Sequence, residues 1–134
     1  MQKGGMAENP YAAAARFRAE LRRFLRRSED CSRQYGITPR QHLLLLQIAG
    51  APEGRTTVSE LVNALALTQS AVTELVQRAE SAGLVQRTSS RSDGRVVILS
   101  LTSDGDKKLE AVHRALGPER AHLKRAIDEL DGGG

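Results

Sequence analysis

One short stretch constrains this chain more than any other. Asp93-Gly94-Arg95 runs into the alternating segment Val96-Val97-Ile98-Leu99-Ser100-Leu101, and then into Thr102-Ser103-Asp104-Gly105. A glycine-bearing turn with Asp and Arg at its tip, set against an apolar strand, makes a β-hairpin that projects a cation into solvent. The strands are predicted at Leu84 to Thr88 and Val96 to Leu101, with the loop Ser89 to Arg95 between them. Thr102 then caps a helix whose first turn carries Asp104 and Asp106, where the helix dipole favours negative charge.

The residues upstream read as short helices with clear start and stop signals. Thr38-Pro39-Arg40-Gln41 combines a capping Thr, a Pro whose missing N–H costs nothing at the first helical position, and a Gln that completes a capping box. The helix that follows, through Ala49, is apolar almost all round and is expected to be a buried strut. Thr57-Val58-Ser59-Glu60 is a second capping box, opening a helix with Val58, Leu61, Val62 and Leu65 on its inner face. Leu67 leads to a third cap, Thr68, and Gly83 closes the helix it starts. In that helix Val72, Leu75, Val76 and Ala79 form one apolar stripe, while Ser70, Thr73, Glu74, Gln77 and Ser81 point the other way, with Gln69 and Arg78 at the margins. A short, polar outer face with little bulk suits a helix that enters a major groove and offers hydrogen bonds to base edges. Helix, turn, helix and charged hairpin together are the layout of a winged helix-turn-helix, a mostly α (α+β) fold.

Helices flank this core on both sides. From Pro10 to Tyr35, Phe17, Leu21, Phe24, Leu25, Cys31 and Tyr35 recur at helical spacing, and Gly36 ends the run. Arg16, Arg18, Arg22, Arg23, Arg26 and Arg27 occupy the other faces and are read as a solvated surface paired with Glu20, Glu29 and Asp30. After Thr102, Leu109, Val112, His113 and Leu116 repeat at helical spacing, Gly117-Pro118 breaks the chain, and Leu123, Ile127 and Leu130 share one side of a final helix. The expected organisation is a disordered start over residues 1–9, a dimerisation helix over 10–36, a DNA-binding domain over 37–101, dimerisation helices over 102–131 and a disordered tail over 132–134.

Composition narrows the class of partner. The net charge is +4 and the sequence pI about 9.7, which makes an acidic partner plausible. The four aromatic residues, Tyr11, Phe17, Phe24 and Tyr35, all fall in the first quarter of the chain. Single-stranded nucleic acid is usually held by stacking on exposed rings, so duplex DNA fits better. The sole cysteine, Cys31, excludes an internal disulfide and suits a reducing cytoplasm. No secretory signal or membrane span is expected, because no apolar run is long enough.

The spacing D-x-R-x5-L-T-x-x-G resembles the wing signature of the MarR family (multiple antibiotic resistance regulators). Leu67-Thr68-Gln69-Ser70-Ala71-Val72-Thr73-Glu74-Leu75-Val76-Gln77-Arg78 and Glu80-Ser81-Ala82-Gly83-Leu84-Val85-Gln86-Arg87 are similar to that family's recognition helix and its exit into the wing. The likeness extends from about Thr38 to Gly105. Ala79 departs from it, standing where the family usually has a large aliphatic residue, which would loosen packing beneath the helix. The resemblance implies a homodimer, paired through the flanking helices, on a near-palindromic operator, acting by blocking transcription. It also implies a small-molecule effector between the dimer helices and the DNA-binding lobes. By the same resemblance Arg95 enters the minor groove, and Asp93 holds its guanidinium by a charge-assisted hydrogen bond. Thr68, Gln69, Ser70, Thr73 and Gln77 become candidate base or phosphate contacts, and Arg55, Arg78 and Arg91 candidate phosphate contacts.

Other chemistries have less behind them. The sequence holds no metal-binding Cys pair, no H-E-x-x-H, no phosphate loop and no nucleophile with a base nearby, so no enzyme, cofactor or metal is expected. His42, His113 and His122 stand far apart in sequence. Some MarR relatives sense peroxide through a cysteine, but Cys31 sits on an apolar helix face, as an inert buried thiol does. The alternative is a winged helix that docks protein instead of DNA, for which Glu74 on the outer face is the argument.

Overall fold

The computed structural model describes residues 9–90, 92 and 94–132, so the candidates Arg91 and Asp93 lie outside the described residues. The chain falls into two compact units: Ser32–Val112 form one, and the residues up to Cys31 and from His113 onward form the other.

The Ser32–Val112 unit starts at the end of α1 (Pro10–Gln34). Gly36 takes a φ of +84. Its N–H reaches the Arg33 carbonyl at 3.1 Å, and the Ile37 N–H reaches the Ser32 carbonyl at 3.0 Å. This Schellman closure satisfies the last helical carbonyls and needs a left-handed residue at the glycine position. Helix α2 (Pro39–Gly50) opens with the expected capping box: Gln41 N–H donates to Thr38 Oγ1 at 3.0 Å, and Thr38 N–H to Gln41 Oε1 at 2.9 Å. The expectation of burial all round is corrected here. His42, Leu44, Leu45 and Ile48 are buried, but Leu43 and Leu46 remain 53% and 43% exposed. A helix buries only the stripe that neighbours cover, whatever its residue types.

A single 3-10 turn at Pro52–Gly54 leads to α3 (Val58–Leu65), and a short turn leads on to α4 (Gln69–Ser81). Strands β1 (Val85–Ser89) and β2 (Val97–Leu101) pair antiparallel, Val85 opposite Leu101 and Ser89 opposite Val97. Each strand begins one residue later than expected. At the first, Leu84 turns its N–H back to the Ala79 carbonyl at 2.9 Å, completing a Schellman closure around Gly83, which has a φ of +76. Thr56 pairs with Leu99 from the other edge of β2, through N–H to carbonyl bonds of 3.1 and 2.8 Å. Strand β2 is therefore flanked on both sides. Leu44, Leu45, Ile48, Leu61, Val72, Val76, Ala79, Leu84 and Leu99, each no more than 1% exposed, form the core of this unit. Ala79 is itself completely buried.

Helix α5 (Ser103–Ala115) begins against the α4–β1 turn. Thr102 Oγ1 donates to the Gly83 carbonyl at 2.6 Å and accepts from Gly105 N–H at 3.0 Å, while Thr102 N–H donates to the Leu84 carbonyl at 3.0 Å. A Cβ at Gly105 would lie 2.1 Å from the Leu84 carbonyl oxygen. The Thr and Gly of the T-x-x-G stretch are therefore a packing device, with no room for a side chain.

In the other unit, α1 and α6 (Gly117–Gly132) run antiparallel, joined by Arg16–Glu129 at 2.6 Å and Arg27–Glu119 at 3.7 Å. Asn9 caps α1, accepting from Tyr11 N–H at 2.9 Å, so it is ordered although a disordered start through residue 9 was expected. The arginine face of α1 thus pairs partly with Glu20 (Arg23–Glu20) and partly with acids of α6. Such exposed pairs contribute less than about 1 kcal/mol each. Arg120 donates to the His113 carbonyl at 2.6 Å across the break between α5 and α6. Cys31 is buried, while Leu25 is 52% and Ile127 41% exposed. Among the described residues, no helix is long and apolar enough to cross a membrane, and no group of three or more His, Cys, Asp or Glu is placed to hold a metal ion.

Gly105→Ala is expected to destabilise the fold by about 3 kcal/mol, the upper end of the overpacking range, because backbone rather than a flexible side chain must give way. Urea unfolding of the purified variant checks this, and a midpoint equal to the parent's would refute it.

Candidate nucleic-acid interface

Helix α4 is held from both ends and from beneath. Thr68 Oγ1 accepts from Ala71 N–H at 3.1 Å, capping the N-terminus. Val72, Leu75, Val76 and Ala79 are buried, which fixes the rotation of the helix about its axis. The opposite face is then open: Gln69, Ser70, Glu74 and Gln77 are exposed and Thr73 half-buried, and these five line one shallow hollow. Thr68 and Arg78 stand exposed at its margins. The sequence-predicted face is brought together as one continuous polar surface.

The hairpin stands beside it. Only Val85 of β1 is buried, and the strand's other residues are exposed. Beyond the strands, Ser90 N–H still bonds the Val96 carbonyl at 2.8 Å, and Gly94 and Arg95 form the described part of the turn. Arg95 is exposed there. Arg87 Nε bonds Glu80 Oε1 at 2.9 Å, tying β1 to α4 and so the hairpin to the polar face. Arg55 is exposed in the extended segment just before Thr56, whose ladder bonds to Leu99 place that segment along β2.

Two arrangements escaped the sequence reading. The Arg87–Glu80 tie joins residues seven apart on different elements, and no local spacing announces it. Arg78, expected as a phosphate contact, lies 3.3 Å from Glu74 Oε1 one turn earlier. The i, i+4 spacing of Glu74 and Arg78 was the signal for that pair.

Residues 35–96 match the sequence model described as the MarR family. The chain belongs to the MarR family. It is 39% identical over 95 residues to the HTH-type transcriptional repressor MdtR of Bacillus subtilis (strain 168), a match covering 71% of this chain and 58% of that relative. The chain thus matches less than two thirds of MdtR's length. Among solved structures it is similar to the YusO protein of Bacillus subtilis, with 31% identity, a TM-score of 0.62, and 83% of this chain and 75% of that one covered. It is also similar to a mutant MarR from E. coli complexed with operator DNA, with 26% identity, a TM-score of 0.65, and 84% and 75% covered. The MarR-family winged helix-turn-helix is the fold of this chain.

The angle between α3 and α4 in this MarR-family lobe depends on Ala66, which takes φ 55, ψ 41 at the C-terminus of α3. A left-handed alanine costs about 1–2 kcal/mol, offset in part by the entropy a glycine would lose on folding. Ala66→Gly is therefore expected to stabilise the protein by roughly 0.5–1 kcal/mol. Thermal unfolding checks it, and a lower melting temperature would show that the turn is unstrained.

Proposed function

We propose that the chain is a transcriptional repressor that binds a near-palindromic duplex operator as a homodimer. The observation that carries this reading is the pairing of two features in one compact unit: the small, polar, open face of α4 and the exposed Arg95 at the tip of a hairpin tied to that helix by Arg87 and Glu80. A helix of this kind fits a major groove, and a guanidinium on a thin ribbon fits the narrower groove beside it. Gln69, Ser70, Thr73 and Gln77 then face base edges or phosphates, together with Thr68. Arg55, Arg78 and Arg91 neutralise phosphates, and Asp93 aims the Arg95 fork.

Dimerisation is assigned to residues 10–36 and 102–131. The exposed Tyr11, Leu25 and Ile127 support this, because large apolar side chains on α1 and α6 are left without cover. A two-fold axis sets two recognition helices about one DNA turn apart, which makes the operator near-palindromic. Occupancy near a promoter blocks transcription, and a small-molecule effector releases the DNA. The repressor works in the cytoplasm, without a cofactor and without catalysis. The roles of MdtR as a repressor and of MarR as a protein complexed with operator DNA support this reading.

The experiment is a titration of parent and variants against duplexes selected from the source genome and against scrambled controls. Arg95→Ala is expected to weaken specific binding by about 1–3 kcal/mol, and Asp93→Ala by less. Folding should survive both changes within roughly 0.5 kcal/mol. Arg91→Ala should weaken all sequences about equally. Arg95→Ala binding selected DNA as the parent does would refute the wing's role. A second titration varies salt: each phosphate contact steepens the fall of log K with log salt by about 0.9. A flat response would favour a protein-docking winged helix instead.

A further inference from the structure

Glu74 is the one feature of the α4 face that a simple phosphate-seeking surface does not explain. It lines the same hollow as Gln69, Ser70, Thr73 and Gln77, so a duplex seated there meets a carboxylate. That carboxylate is repelled by every phosphate, so it lowers affinity for DNA in general. Its stability contribution does not account for it. Its side chain is 66% exposed, and the Arg78 guanidinium 3.3 Å away is 75% exposed, so solvent screens the pair almost completely. Glu74 is also absent from the buried stripe of Val72, Leu75, Val76 and Ala79.

A carboxylate has only acceptors to offer. In the major groove guanine presents two acceptors, thymine an acceptor and a methyl group, and adenine a donor beside an acceptor. The cytosine edge itself presents one hydrogen-bonding group, the N4 amino donor. A carboxylate is thus best matched by cytosine, while adenine sets the N7 acceptor beside its amino group and guanine and thymine offer it only acceptors. The exposed Arg78 guanidinium, 3.3 Å away, can turn to a phosphate once the carboxylate accepts from the cytosine amino group.

We propose that Glu74 is a specificity-determining residue that reads one cytosine in each half-site. This rests on the duplex-binding reading above. Glu74 lowers affinity for unrelated DNA and recovers that loss only on a sequence that supplies the amino group.

The test uses the full chain and a pool of random duplexes, from which the parent, Glu74→Gln and Glu74→Ala each select. Every single-base change in the parent's selected duplex is then titrated against all three proteins, with thermal melting of each alongside. The parent is expected to favour C·G at one position per half-site by about 5- to 150-fold. Glu74→Gln should move that preference toward A·T, since an amide pairs with adenine N6 and N7. Glu74→Ala should level the position and bind unrelated duplex more tightly than the parent, with melting unchanged. Identical base preferences in all three proteins would overturn the inference while leaving duplex binding intact. A uniform change in affinity at every position would overturn it too, reducing Glu74 to an electrostatic bystander. A parent chain that recovers no sequence from the pool overturns the duplex-binding reading itself, and this inference with it.

Discussion

The close approach of Gly105 to the Leu84 carbonyl organises the winged-helix unit. Because position 105 has no side chain, the first turn of α5 rests directly on the α4–β1 turn. Thr102 converts that contact into a three-bond clasp, joining Gly83, Leu84 and Gly105. The end of α4, the start of β1, the end of β2 and the start of α5 all meet there. Thr56 adds a second junction by pairing with Leu99, and the next residue, Thr57, caps α3. Wing and helices are therefore set by hydrogen bonds to backbone groups, made by the Thr102 hydroxyl and by the chain itself, which tolerate little angular error.

This frame leaves the outward face of α4 free of structural duty. The buried stripe and the Thr68 cap fix where the helix lies, so the residues at 69, 70, 73, 74 and 77 can vary in chemistry without unfolding anything. The division between a stripe that holds and a face that stays open explains why a carboxylate is tolerated there. It also means that removing any of these side chains should barely register in a melting curve.

Much of this was legible in the residues. The capping boxes at Thr38 and Thr57 and the cap at Thr68 formed as the local chemistry of hydroxyl, amide and carboxylate requires. The hairpin and the apolar stripe of α4 followed from periods of two and 3.6 residues. Periodicity alone could not say that α2 buries only one side, because Leu43 and Leu44 are the same residue type and only their neighbours differ. Nor could it find the clasp at Gly105 or the tie between Glu80 and Arg87, which join residues that come together only once the chain has folded. The helices of the wing domain were therefore predictable one at a time, while their mutual placement was not.

The order of the ribbon has a bearing on how the protein behaves in a crowded solution. Strand β2 carries the apolar run; β1 pairs along one of its edges, and Thr56 bonds the other edge at Leu99. The open edge belongs to β1, five residues long, whose exposed positions are Gln86, Arg87, Thr88 and Ser89. A short hydrophilic edge with a charge at its middle is a poor template for strands from other molecules. The apolar run is thereby paired along one edge and tied at Leu99 on the other, which makes the thin hairpin a poor seed for cross-β stacking.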